Sequence, residues 1–241
     1  MMNSTPFPKL DNRLKQALLL ASPGKVAADI GADHGQLSAA LLKSGYAEHV
    51  LVSDISEPSL NKARSALSSM NLYDKATFAV ADGLDALNAL KEIHADHIFI
   101  LGMGGVTLSQ ILEKGADKLH GASLILGAQT DLPLVRETLV RLHYRIRHEV
   151  VAEENRRYYI LIKCSPAAPD EATYTQEELL LGPVLLKTFP PLWPNILKRR
   201  REMLLTAITS MKNAASHKRA AQLPAFEEEL AFVDKALSHY A

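Results

Sequence analysis

Between residues 25 and 164 the chain alternates short runs rich in Val, Ile and Leu with stretches of helical periodicity, and few architectures accept that pattern. Continuous apolar runs without in-out alternation are what strands become when both faces of a sheet are covered, and the intervening helices supply that cover. The pattern predicts an α/β fold with parallel strands at 25–30, 49–54, 76–81, 96–101 and 122–126, followed by a helix over 132–142. Two further β-like runs, 144–151 and 157–163, are separated only by Ala152-Glu153-Glu154-Asn155-Arg156. Five residues suit a hairpin and exclude a helical crossover, so the sheet is expected to have seven strands and to end antiparallel.

Beyond Pro166-Ala167-Ala168-Pro169 the β signal stops. A helix over 176–186, the breaker Phe189-Pro190-Pro191-Leu192-Trp193-Pro194, and amphipathic segments 196–216 and 224–240 predict an appended helical hairpin. The expected division is residues 1–168 and 169–241. The start of the chain has neither an apolar run nor a basic flank. No stretch reaches the roughly 18 uninterrupted apolar residues that a membrane span needs, so a cytoplasmic protein without a membrane partner is expected. Cys164 stands alone, which excludes an internal disulfide, and the nine histidines show no metal-ligand spacing, so no metal is expected. The formal net charge of zero conceals an uneven distribution. Residues 1–130 carry 11 Lys/Arg against 13 Asp/Glu, whereas 187–219 carry 8 Lys/Arg against Glu202 alone. Such a basic arm suits either a polyanion or a solvated helix face.

In a doubly wound sheet, ligands bind at the carboxyl ends of the strands where strand order reverses. The first such loop is Asp29-Ile30-Gly31-Ala32-Asp33-His34-Gly35. It lacks the G-x-G-x-x-G spacing that brings backbone to a pyrophosphate, and its carboxylates would repel one. A ligand with a sulfonium and an ammonium group finds the same charges favourable, so Asp29, Gly31 and Asp33 point to S-adenosylmethionine. Asp54, with Ile55 after it, ends the second strand, where an acid accepts hydrogen bonds from both ribose hydroxyls of an adenosine. Asp82-Gly83 follows the third strand, facing an adenine amino group or capping the next helix. After strand four, Gly102-Met103-Gly104-Gly105 permits close approach of a flat group.

Together these motifs resemble the bacterial tRNA (adenine-N1)-methyltransferases that modify position twenty-two. Their first loop reads D-I-G-S-D-H-x-x-L-P, against Asp29-Ile30-Gly31-Ala32-Asp33-His34-Gly35-Gln36-Leu37-Ser38 here. Asp82-Gly83-Leu84 and Gly102-Met103-Gly104-Gly105 match the third and fourth loops, Leu10-Asp11-Asn12-Arg13-Leu14 resembles the opening helix, and the C-terminal hairpin resembles the family's coiled-coil domain. The resemblance implies a Rossmann-like class I methyltransferase sheet and transfer of a methyl group from S-adenosylmethionine to N1 of an adenine in tRNA. That lone pair is free at neutral pH, so catalysis comes from alignment and exclusion of water, followed by loss of a proton from the exocyclic amine. The target base must leave its stack to be reached.

Asp33, His34, Gly102, Met103 and Gly104 are then the expected catalytic group, with Met103 also at the cofactor. Lys198, Arg199, Arg200, Arg201, Lys212, Lys218 and Arg219 are expected to grip tRNA phosphates, with Arg141, Arg145 and Arg147 extending that surface. The chain departs from the family at Gln36 and Ser38, at Gly127-Ala128 in place of Gln-Pro, and at Ile160 in place of an acid, all taken to border the substrate. Alternatives are a methyltransferase of a small molecule or protein whose hairpin dimerises, and a non-catalytic RNA-binding protein that retains the pocket. The oligomeric state is open, a monomer included.

Overall fold

A computed structural model describes residues 6–213 and 221–240, and the chain divides into two compact units, residues 1–171 and 172–241. The first is a seven-stranded sheet in the order β3-β2-β1-β4-β5-β7-β6. Its strands are β1 Val26–Ile30, β2 His49–Asp54, β3 Ala76–Val80, β4 His97–Met103, β5 Ser123–Ala128, β6 Tyr144–Glu154 and β7 Arg157–Pro166. Strands β1 to β5 are parallel, and β7 pairs antiparallel with both β5 and β6. Helices α1 Asn12–Leu20, α2 Gln36–Lys43, α3 Glu57–Ser69, α4 Gly105–Lys114 and α5 Leu132–Arg141 accompany the sheet.

All five residues of β1 are buried, and Val50, Leu51 and Val52 of β2, Ile98, Phe99 and Ile100 of β4, and Leu124 and Ile125 of β5 have no exposed surface. This is the physical origin of the continuous apolar runs. An alternating strand would place a polar residue in the core every second position.

Two boundaries differ from the sequence expectation. β4 continues to Met103, with an irregularity between Leu101 and Met103 where Gly102 adopts φ +81°. A left-handed residue inside a strand is a device open to glycine, and an apolar count that stops at Leu101 passes over it. The β6–β7 hairpin absorbs most of the five-residue separator, leaving only Asn155 and Arg156 at its tip, both with positive φ (+52° and +61°). Two left-handed residues form the connection whose twist matches that of antiparallel strands.

Between β6 and α5, Arg136 and Glu149 are fully buried, with Arg136 Nε donating to Glu149 Oε1 at 2.9 Å. Cys164 is buried beside the Leu124 carbonyl, and burial pushes its thiol well above the usual range.

In the second unit the expected helix over 176–186 is two: α6 Gln176–Leu181 and α7 Leu185–Thr188, parted at Gly182 with φ +111°. Thr175 and Glu178 close a reciprocal capping box at the start of α6. Helices α8 Trp193–Lys212 and α9 Leu223–Ser238 form the hairpin, burying Leu197, Leu204, Ile208 and Val233. Among the described residues three ion pairs lace it: Arg200 Nη2 to Glu229 Oε2 at 2.7 Å, Arg201 Nε to Asp234 Oδ1 at 2.6 Å, and Lys212 Nζ to Glu227 Oε1 at 2.8 Å. Arg201 pairs far from the turn and Lys212 near it, the register of antiparallel helices.

Candidate active site

The order β3-β2-β1-β4 sets the loops that follow Val80, Asp54, Ile30 and Met103 side by side along the carboxyl edge of the sheet. Three inter-strand spacings of about 4.8 Å span roughly 14 Å, the reach of an extended nucleoside ligand. Strand order reverses between β1 and β4, the crevice where such folds bind ligands.

The first loop is held by backbone. Gly31 N–H and Ala32 N–H donate to the Ser53 carbonyl at 2.8 and 2.9 Å, and Gly35 N–H donates to the Ala32 carbonyl. Gly31, Asp33 and Gly35 all have positive φ. At Gly35 a Cβ would also stand 2.9 Å from that of Ala63, so the turn needs glycine for close approach as well as for its dihedral. Over the same loop, the Met103 ε-methyl lies 2.6 Å from the point that a Cβ on Gly31 would occupy. The ends of β1 and β4 therefore share one wall.

Asp54 joins two loops. One carboxylate oxygen accepts from Ser56 N–H at 2.8 Å and the other from Asp33 N–H at 3.3 Å. The cap of α3 is Ser56 and not Asp54, and each Asp54 oxygen keeps acceptor capacity beyond its one backbone bond. Ile55 beside it is 72% exposed, an apolar side chain with no core role.

Asp29 is buried, accepts from Ser38 Oγ at 2.6 Å, and is pushed up to about 6, chiefly because burial penalises its charge. Opposing this are the Ser38 hydrogen bonds and the nearby Arg13 charge. Ser38 is itself fully buried, and its hydroxyl is spent on Asp29.

Asp29, Gly31, Asp33 and His34 line one cleft of about 230 Å³ together with Asp11, Arg13 and Leu101. His34 Nε2 stands 3.3 Å from Asp33 Oδ2, both side chains more than half exposed. Asp82 and Gly83 line a separate depression with Thr107, Gln110 and Lys114. Asp82 makes no capping bond; it pairs with Lys114 Nζ at 3.0 Å. The expected cofactor residues therefore occupy neighbouring strand ends but two depressions, with Asp54 and Ile55 on the strand between them.

In the fourth loop Gly105 is fixed by contact. A Cβ there would lie 2.7 Å from the Asp131 carbonyl oxygen and closer still to that of Thr130. Gln129, absent from the sequence reading, donates through Nε2 to the Gly102 carbonyl at 3.0 Å and through its N–H to that of Met103 at 2.8 Å. It directly follows Gly127-Ala128, the positions to which the family pattern directs attention, and nothing local marks it. Arg13 entered only as part of the opening helix, because its place in the cleft is set by packing.

Of the basic arm, Arg200, Arg201 and Lys212 are engaged with α9, whereas Lys198 and Arg199 are exposed and make no ion pair among the described residues. Lys218 and Arg219 lie outside the described residues. Arg141 pairs with Glu113, and Arg145 and Arg147 meet Glu171. Among the described residues no group of three or more His, Cys, Asp and Glu could hold a metal ion, and no helix is long and apolar enough to cross a membrane.

Residues 27–234 match the family described as tRNA (adenine(22)-N(1))-methyltransferase. A curated relative of that name from Bacillus subtilis (strain 168) is 32% identical over 184 residues, which cover 74% of this chain and 76% of the relative. Two solved structures share the fold. One is the B. subtilis M1A22 tRNA methyltransferase TrmK, with TM-score 0.86 and 24% identity, covering 95% of this chain and 99% of that one. The other is a Streptococcus pneumoniae protein in complex with S-adenosyl-L-methionine, with TM-score 0.82 and 22% identity, covering 95% and 100%. With the sheet order, the loop geometry and a match that spans most of its length, the chain belongs to the tRNA (adenine(22)-N(1))-methyltransferase family.

Proposed function

We propose that the protein transfers a methyl group from S-adenosylmethionine to N1 of adenine 22 in tRNA, in the cytoplasm. The observation that carries this reading is the carboxyl edge itself: acids at the ends of β1 and β2, no phosphate-binding glycine spacing, and a glycine-rich loop opposite. The residues fit the cofactor by their chemistry. Asp54 accepts from the ribose hydroxyls, the apolar Ile55 covers a face of the adenine, and Asp82 accepts from its amino group. Asp29 and Asp33 lie where the cationic end needs negative charge. When bound, S-adenosylmethionine supplies the electrophilic methyl group.

The protein's task at the target base is positioning. Gly102, Met103 and Gly104 offer backbone at the crevice where a flipped adenine enters, and Gln129 braces that backbone from just beyond β5. Asp33 accepts from the adenine amino hydrogens, and His34, 3.3 Å from it, is placed to take up a proton. Alignment of N1 with the methyl carbon, in a site closed to water, supplies the acceleration.

Incubation with labelled S-adenosylmethionine and unmodified tRNA, followed by digestion, is expected to place the label on N1-methyladenosine. Label on another nucleoside, or none, overturns the proposal.

Lys198 and Arg199 are the cations of the α8 arm most suited to tRNA phosphates, since their neighbours serve the hairpin. Lys198→Ala with Arg199→Ala should weaken tRNA binding at all sequences and lower the salt slope by about 2, one per phosphate contact, with cofactor affinity unchanged. An unchanged slope would exclude the pair.

A further inference from the structure

We propose that Arg13 is the residue that receives the carboxylate of the cofactor's methionine end, clamping it from helix α1. The inference rests on the cofactor reading above. Its ground is an imbalance in the cleft at the β1 loop, which carries the carboxylates of Asp11, Asp29 and Asp33. These suit the sulfonium and the ammonium, but the same end of the ligand bears a carboxylate, which would be repelled unless one cation faced it. Among the described residues Arg13 is the only permanently charged cation lining that cleft.

The guanidinium is poised and unspent. Among the described residues Arg13 makes no side-chain hydrogen bond, although its side chain is only 22% exposed and it carries five N–H donors. Its one ion pair, Nη2 to Asp11 Oδ2, is long at 3.8 Å, and Asp11 is already committed as the cap of α1, accepting from Leu14 N–H at 2.7 Å through its other oxygen. The Tyr159 ring holds the guanidinium at 5.7 Å from its centroid. Nη1 lies 2.9 Å from the point that a Cβ on Gly102 would occupy, so a side chain at position 102 would displace it. A planar fork of donors held by an aromatic face beside the end of β4 is the geometry that grips a carboxylate with two parallel hydrogen bonds. Gly102 accordingly serves two neighbours: its carbonyl is braced by Gln129, and its missing side chain leaves room for Arg13.

Calorimetric titration of the whole protein with S-adenosylmethionine and with its decarboxylated analogue separates this role from others. Arg13→Met is expected to lower affinity for S-adenosylmethionine about tenfold to a hundredfold, the worth of hydrogen bonds to a charged group, and to leave affinity for the decarboxylated analogue unchanged. Arg13→Lys, which keeps the charge and loses the fork, should fall between. The wild-type protein alone should prefer S-adenosylmethionine over the analogue by a similar factor, so the inference is testable even if Arg13→Met does not fold. Equal wild-type affinity for both ligands overturns it, as does an equal loss for both ligands in Arg13→Met. Weakened tRNA binding with cofactor affinity intact would assign Arg13 to the target base instead and also overturns it. Failure of the wild-type protein to bind either ligand would refute the cofactor reading itself, an outcome distinct from these.

Discussion

Asp54→Ala is expected to lower affinity for S-adenosylhomocysteine by about a hundredfold or more, while tRNA affinity stays within threefold of the wild-type value. Two hydrogen bonds from ribose hydroxyls to one carboxylate are worth about 1.5–3 kcal/mol each. The same substitution releases the Asp33 N–H and Ser56 N–H, which Asp54 now accepts, so the first loop loses its tie to β2 as its ligand contact disappears. Asp54→Asn retains an acceptor and should lose about tenfold. Calorimetry for the cofactor and anisotropy for labelled tRNA separate the two affinities. A loss below threefold in the Ala variant would remove Asp54 from the ribose site.

The largest effect on stability is expected at Arg136. With its side chain 1% exposed and that of Glu149 not exposed at all, removing either partner leaves an uncompensated charge inside unit 1. Arg136→Met or Glu149→Leu should each cost about 3–5 kcal/mol, while the double replacement should cost less than either single one, since it removes both charges together. Urea denaturation of the four proteins completes the cycle. Additive losses below about 1 kcal/mol per substitution would show that the pair is solvated.

The strands were readable because a doubly covered parallel sheet writes itself as apolar runs, and the loop acids were readable because the first three runs each have one at or beside their end: Asp29, Asp54 and Asp82. The extension of β4 through Gly102 was not, since a left-handed glycine interrupts the apolar pattern without ending the strand. Arg13, Lys114 and Gln129 carried no local signal. Arg13 sits on a helix before the first strand, Lys114 reaches Asp82 from the far end of α4, and Gln129 bonds across to the neighbouring strand; each contact exists only after the elements pack. The partners of the basic arm were hidden for a related reason. Counting charge over 187–219 stopped short of Glu227, Glu229 and Asp234, which the hairpin folds back onto Lys212, Arg200 and Arg201.

The strand order also governs when the site comes into being as the chain is made. β1 pairs with β2, some twenty residues on, but its other neighbour is β4, seventy residues on, and the wall shared by Gly31 and Met103 belongs to that distant pairing. Gly102 is then braced by Gln129, which follows β5. Parallel pairings of this kind close slowly because the chain between them must be ordered first. During vectorial synthesis the crevice between β1 and β4 therefore forms late, once β4 and β5 have left the ribosome. A nascent chain that presents only the Asp29 to Gly35 loop has the recognisable motif and half of its cleft.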